Sequence, residues 1–391
     1  MLTLLLGALI PQRYNKLIWG VDLEVNNRYW SKAMQSAGFD SQLLMIRYSG
    51  IYPRSDRELA FDDLIPHWLT SKLLRKLCWE SFALFYVIRH AKVVHFSFTG
   101  GPLRRTPLWW LEAYILRSAN IKTVIMPYGG DAYLYSTIAD PSLRHGLLTN
   151  YPAAGRAESW LAKRVKYWTQ HADVILTGFM LDGMSRWDVT IPNMLCIDVN
   201  QWKARGDYSL NDGRVGEVKV IHTPNHRGFK GTEFLIQAVQ DLQAEGLRVE
   251  LVLLEKVPNE QVRKLMQEVD ILVEQLIFTG YALSGIEGMA SGLPVMSNLE
   301  QELYTKIFRR YAFLNECPIV STSPETIKRN LRVLVTNPHL RQQLGRAGCS
   351  YVEKYHSFAT AQYLFGSIYD KILYGKDIDL MNLFHPPQIR I

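Results

Sequence analysis

The stretch Val218-Lys219-Val220-Ile221-His222, running into His226-Arg227-Gly228-Phe229-Lys230-Gly231, decides the fold. It reads as an apolar strand followed by a basic glycine turn. The pattern then continues to Asn298 as helix, strand, helix, strand, second glycine turn, helix, strand. The first helix sets Phe234, Leu235, Ala238, Val239 and Leu242 at the spacing of a core-facing stripe, and Gly246 is placed to stop it. Residues 249–254 and 271–276 read as apolar runs of strand length, expected to be buried on both faces. The second turn is Thr279-Gly280-Tyr281-Ala282. Both turns follow strands and open helices, and in an open parallel sheet ligands bind at the carboxyl ends of the strands.

The first turn gathers Arg227, Lys230, backbone N–H groups and a helix start, a set that suits a phosphate. Gly228 and Gly231 let the backbone approach a ligand, and two cations facing one anion would stabilise a departing diphosphate. A surface turn with solvated basic residues, Thr232 capping the next helix, explains the same residues. Either way Lys230 is expected to be an exposed turn lysine, removable without loss of folding. In the second turn Gly280, Tyr281, Ala282, Leu283 and Ser284 lead to Glu287, one turn into its helix. The small residues there clear space, so that N–H groups can meet a phosphate or sugar oxygen, and Glu287 is placed to hold ribose hydroxyls. Ser284-x-x-Glu287 is equally a capping box, in which Glu287 returns to the Ser284 N–H.

Towards the N-terminus, apolar runs at 2–9, 42–47, 93–98, 123–126 and 174–177 alternate with helical patterns at 27–37, 71–89, 108–118 and 158–171. This alternation predicts a second parallel sheet covered on both faces. Met126-Pro127-Tyr128-Gly129-Gly130-Asp131 follows one of its strands. Asp131 is a candidate to orient an acceptor hydroxyl or take its proton, with Tyr128, Gly129 and Gly130 beside it. A Gly-Gly turn closed by an Asp side chain accounts for the same residues. His95 is a further acceptor-side candidate, although a strand histidine is more often a satisfied core residue. The polar stretch 203–214 reads as a surface connection, placing a first domain at 1–203 and a second at 215–360. The expected architecture is α/β, with two Rossmann-like domains facing a cleft.

Composition excludes several classes. The chain has 391 residues, enough for two cores. An apolar fraction of 48% and a charged fraction of 21% are those of a globular protein. The formal charge of +7 gives a mild attraction to anions without choosing among them. No base-reading module appears, so nucleic acid is not an expected partner. Cys78, Cys196, Cys317 and Cys349 are scattered, which argues against a zinc site or a disulfide framework and for a cytoplasmic location. The apolar start lacks the basic region of a signal peptide, and no run reaches a membrane span. Basic and aromatic residues around Lys72, Arg75, Lys76, Arg104, Arg105, Trp109 and Trp110 suggest either a solvated helix face over a tryptophan core or a peripheral contact with an inner-membrane surface.

The residues resemble the nucleotide-sugar glycosyltransferases of the GT-B fold, specifically the retaining family-4-like group (glycosyl transferases group 1). Lys230-Gly231 matches that group's Lys-Gly turn, with Arg227 three residues before the Lys where the group usually has Arg five before it, here Asn225. Glu287-Gly288-Met289-Ala290-Ser291-Gly292-Leu293-Pro294-Val295 matches its Glu-Ala-Met-Ala-x-Gly-x-Pro-Val run. Tyr128-Gly129-Gly130-Asp131 is similar to its His-Gly-x-Asp turn, with Tyr in place of His. Ile191-Pro192-Asn193 is similar to its Ile-Pro-Asn passage, and Thr279 stands where a second glutamate is usual. The resemblance implies a UDP- or GDP-linked sugar bound by Lys230, Arg227, Glu287 and the 280–284 turn. It also implies a saccharide or lipid-linked acceptor in the first domain, and neither cofactor nor metal. Residues 361–391 are expected to form a helix and tail returning to the first domain. Rival readings are a non-catalytic nucleotide-sugar-binding subunit and an epimerase on the same scaffold.

Overall fold

The computed structural model describes residues 15–22, 25–48, 55 and 57–386. The chain divides into two compact units. The first comprises Met1–Leu134, Ala157–Thr190 and Ala361–Leu383; the second comprises Tyr135–Arg156, Ile191–Thr360 and Phe384–Ile391.

The first unit is built on six parallel strands: β1 (Lys16–Trp19), β2 (Ser41–Met45), β3 (Glu58–Ala60), β4 (Ala91–Phe96), β5 (Lys122–Ile125) and β6 (Val174–Ile175). Their order is β3-β2-β1-β4-β5-β6, all neighbours parallel. The chain reverses its direction of winding between β1 and β4, which is where a doubly wound sheet opens its ligand crevice. The strand expected at 2–9 lies outside the described residues. β1 and β3 were not anticipated, because each offers only three or four residues of pattern. The Lys72–His90 and Glu158–His171 helices form as expected, each burying an apolar stripe such as Ala83, Leu84, Val87 and Ile88.

The last helix, Phe358–Tyr374, completes this core. Phe365 meets the Trp19 ring edge-on at 4.8 Å, Tyr369 Oη lies 2.9 Å from His95 Nε2, and Gln362 Nε2 donates to Ala33 O at 2.9 Å. The expected return of the C-terminal helix is therefore present in the first unit.

The second unit carries five parallel strands: β7 (Val218–His222), β8 (Val249–Leu253), β9 (Ile271–Thr279), β10 (Val295–Asn298) and β11 (Val320–Ser321). The order is β11-β10-β9-β7-β8, so winding reverses between β7 and β9. β9 is buried on both faces. β8 is half-buried instead, because it forms the sheet edge.

The sequence boundary at 203–214 differs from the observed division. Arg341 Nη2 donates to Ser209 O and Asn211 O at 3.1 and 2.6 Å, and Arg205 Nη2 donates to Met266 O at 2.6 Å. These bonds bind that stretch into the second unit. Tyr135–Arg156 also belongs there: its Pro141–Asn150 helix, capped by Asp140, packs on the basic turn.

Candidate functional site

At the switch point of the second sheet, β7 ends in the turn that holds Arg227 and Lys230. Its residues Arg227–Lys230 form one helical turn, closed by Gly231 at φ +74°. A Cβ there would lie 2.8 Å from Leu276 Cβ, so both conformation and space require glycine. Asn150 Oδ1 accepts from Phe229 N at 3.1 Å, pinning the turn from the Pro141–Asn150 helix.

Lys230 is not exposed. It is 6% accessible, and its Nζ donates to Gln275 Oε1 at 2.9 Å and lies 3.8 Å from Glu274 Oε1. Burial lowers its pKa, and the Glu274 charge opposes that shift. Removal of this lysine strands a buried carboxylate, contrary to the sequence expectation. Arg227 differs: it is half-buried and held by Glu233 at 2.8 Å and Glu255 at 3.6 Å. Thr232 does not cap its helix. Its Oγ1 sits 2.9 Å from His222 Nε2, while His222 Nδ1 meets Val273 O, and burial keeps this histidine neutral with a pKa of about 4.

The second turn, at the end of β9, opens the Leu283–Ala290 helix. A carboxylate of the chain itself already reaches this turn. Glu274 Oε1 accepts from Ala282 N at 2.9 Å and from Ser284 Oγ at 2.8 Å. The capping box is absent, since Ala282 is the N-cap and Ser284 faces Glu274. Glu287 instead accepts from Asn259 Nδ2 at 3.1 Å, and burial pushes its pKa up to about 8. Leu283 is half-buried at the helix start. Gly280 O accepts from Gln275 Nε2 and Ser297 Oγ. Tyr281 offers a ligand no side chain: its hydroxyl lies in the core, 2.8 Å from Tyr351 Oη and 3.0 Å from His356 Nε2. Its carbonyl accepts from Asn193 Nδ2 at 2.7 Å, which gives the Ile191-Pro192-Asn193 passage a local task.

In the first unit, Tyr128 lines a small pocket at the β1/β4 switch point with Asp22, Asn27, Trp30, His95 and Ser97. Asp22 accepts from Ser97 Oγ at 2.8 Å and Thr99 Oγ1 at 3.1 Å, and pairs with Arg104. Gly129, at φ +146°, and Gly130 leave open space where side chains would stand. Asp131 closes this loop: Oδ1 accepts from Tyr128 N and Gly129 N at 3.0 and 2.9 Å, and Oδ2 from Phe98 N at 3.0 Å. Burial pushes its pKa up to about 7 against these three bonds. His95 also lines this pocket, but both of its ring nitrogens are engaged within the core. It is fully buried, stacks on Trp19 at 3.6 Å, and has Nδ1 on Ile18 O and Nε2 on Tyr369 Oη. Burial holds its pKa near 3.

Sequence reading missed Glu274, Gln275, Asn150 and Asp22. A signal for the first pair was present, because a Glu-Gln step inside a strand that must be buried on both faces demands partners. Nothing in the sequence marks Asn150, whose role depends on packing.

Two doubly wound parallel sheets, with the last helix returned to the first, define the two-domain GT-B glycosyltransferase fold. The chain is similar to the solved sucrose-phosphate synthase of Thermosynechococcus elongatus, at 14% identity and TM-score 0.61, over 93% of this chain and 100% of that one. It is similar to the solved TarM at 10% identity and TM-score 0.58, over 92% and 99%. A glycosyltransferase of Rickettsia africae matches at 12% identity and TM-score 0.51, over 93% and 99%. The sequence matches no protein-family model and no curated protein. These likenesses establish the fold.

Proposed function

We propose that the protein is a glycosyltransferase that moves a sugar from a UDP- or GDP-linked donor to a hydroxyl of a saccharide or lipid-linked acceptor, with retention and without a metal. The observation that carries this reading is the buried Lys230 at the β7/β9 switch point, with buried Glu287 in the helix opening beside it. Lys230 supplies a cation for the diphosphate, and Glu287 a carboxyl for ribose hydroxyls. Arg227 adds a second cation when a phosphate draws it from Glu233 and Glu255.

As the bond from the anomeric carbon to phosphate oxygen breaks, its electron pair stays on the diphosphate, and the cations stabilise that charge. The acceptor hydroxyl attacks from the same face and passes its proton to the departing phosphate oxygen, so no protein nucleophile is required. On this reading the small Tyr128 pocket of the first unit, with Asp22, Asn27 and Ser97 as polar groups and Trp30 as an aromatic wall, takes a single hydroxyl of the acceptor. Asp131 holds that loop in shape. A screen of nucleotide sugars by thermal shift and turnover tests the reading. Stabilisation by one nucleotide family with slow donor hydrolysis supports it, and silence from every nucleotide overturns it.

A non-catalytic donor-binding subunit is the second reading. It is favoured by Asp131, whose oxygens are taken by three backbone N–H groups, and by Thr279 in place of the usual glutamate. It predicts nucleotide binding with no turnover on any acceptor. Product formed without an acceptor would instead indicate an epimerase.

A peripheral membrane contact belongs to the same proposal. Trp68, Leu73 and Leu77 are 77%, 68% and 66% exposed beside exposed Lys72 and Lys76, a mixture that suits an anionic lipid surface. Co-sedimentation with anionic but not zwitterionic vesicles is expected. No described helix is long and apolar enough to cross a bilayer.

A further inference from the structure

We propose that Glu274 is a positioning residue: its buried carboxylate ties Lys230 Nζ to the start of the Leu283–Ala290 helix, setting the cation where a nucleotide's diphosphate meets it. The inference rests on Lys230 being the diphosphate's partner, and names the group that makes it one.

The strand pairing shows how Glu274 is aimed. Met296 pairs with Val273 and Ser297 with Gln275, so Glu274 is an extra residue on β9 with no partner on β10. A bulge of this kind re-aims a side chain, and bulges in parallel pairs are rare. Here it lets the adjacent Glu274 and Gln275 both reach Lys230 Nζ, where a regular strand would send them to opposite faces. The same Oε1 takes the Ala282 N–H and the Ser284 hydroxyl. Oε2 is buried without a hydrogen-bond partner and lies against Gly285, where a Cβ would stand 2.3 Å away. Glycine at 285 therefore leaves room for this carboxylate.

Charge gives the arrangement its purpose. Burial lowers the pKa of Lys230 and raises that of Glu274, and the charge of each opposes the shift of the other. The other groups around the pair do not replace this pairing. His222 on β7 is held neutral, with Lys230 among the charges that depress its pKa. His226 is depressed by burial and by Lys230, and Arg227 points to Glu233 and Glu255. From the Pro141–Asn150 helix, the residues against the turn are the uncharged Gly146, Thr149 and Asn150, and Tyr151 just beyond it meets the His226 ring edge-on at 4.6 Å. Glu287, on the helix that Glu274 starts, is itself pushed up by burial and by Glu274.

The test is calorimetric titration of UDP and GDP into the full chain from pH 6 to pH 10, for the parent, Glu274→Gln, Lys230→Met and the double variant. Gln keeps an acceptor for Ala282 and Ser284 but removes the charge. In Glu274→Gln the alkaline loss of affinity is expected to move at least ~1 pH unit towards neutrality, weakening binding ~10-fold at pH 9 and under ~3-fold at pH 6. Binding that matches the parent at every pH overturns the inference, as does equal weakening at every pH, the mark of a purely structural role. Lys230→Met separates the underlying reading. If it binds like the parent, Lys230 does not meet the diphosphate and both claims fall. If it loses binding while Glu274→Gln does not, only the inference falls. The double variant leaves no buried charge unpaired, so its thermal midpoint shows whether Lys230→Met lost binding through unfolding. A parent that binds neither nucleotide sinks both claims.

Discussion

Asp131 and Glu274 are both buried carboxylates near the carboxyl ends of parallel strands, one in each unit, yet they are satisfied in different ways. Asp131 is held by three backbone N–H groups, two from its own loop and one from Phe98 after β4, and no cation pairs with it among the described residues. Glu274 takes one backbone N–H and one hydroxyl, pairs with a buried lysine, and keeps one oxygen unmatched. A carboxylate satisfied by backbone fixes a loop. One paired with a cation can hold that cation in place for an incoming anion. The difference teaches that burial and a raised pKa alone do not mark a site, and that the kind of partner does.

The largest effect expected to sharpen this contrast is at Lys230. Lys230→Ala leaves Glu274 buried and unpaired, so a stability loss of about 3–5 kcal/mol is expected together with loss of nucleotide binding. Urea unfolding and UDP or GDP titration measure the two. A variant as stable as the parent would show that Glu274 does not depend on the lysine. Next comes Asp131→Asn, whose NH2 group must face a backbone N–H. A loss of about 1–3 kcal/mol is expected. Unchanged stability with abolished turnover would make Asp131 a proton acceptor instead and erase the contrast.

The pH dependence is the third. His95, His222 and His356 sit near 3, 4 and 4 in the fold against an ordinary 6.5, so they cost stability as pH falls below 6.5. Asp131, Glu112 and Glu287 sit near 7, 7 and 8 against ordinary values of 3.8, 4.5 and 4.5, so they cost stability as pH rises from that range to 7–8. The slopes oppose each other up to pH 6.5, and above it, of these six groups, only the carboxyls still contribute a slope. The thermal midpoint should therefore fall between pH 6.5 and 8, and Glu287→Gln should fall less while binding nucleotide about tenfold more weakly. A Glu287→Gln variant with the parent's pH profile and nucleotide affinity would remove Glu287 from the site. The smallest effect is at Asn150: Asn150→Ala loses one bond to Phe229 N, about 1 kcal/mol, with a modest weakening of nucleotide binding. No change in either would show that the basic turn holds its shape unaided.

The fold was legible because both halves alternate apolar runs with helical stripes, and because the 287–295 run is specific. The two basic turn residues were legible as a pair but not as unlike partners, since exposure depends on what packs above them. Lys230 is held by residues far away in sequence, Glu274 and Gln275 of β9, and no local pattern encodes that. His95 and Asp131 each had a structural alternative in the sequence, and their hydrogen bonds show why: backbone and core groups engage both.

The return of Phe358–Tyr374 to the first unit bears on the order of synthesis. Trp19 and His95 receive Phe365 and Tyr369 only after the rest of the chain has left the ribosome. At ordinary elongation rates the segment from Thr190 to Ala361 takes ~10–30 s to emerge. During that interval the first sheet lacks part of its cover. A chain cut short before Ala361 would thus expose its defect at the opposite end, in the unit made first.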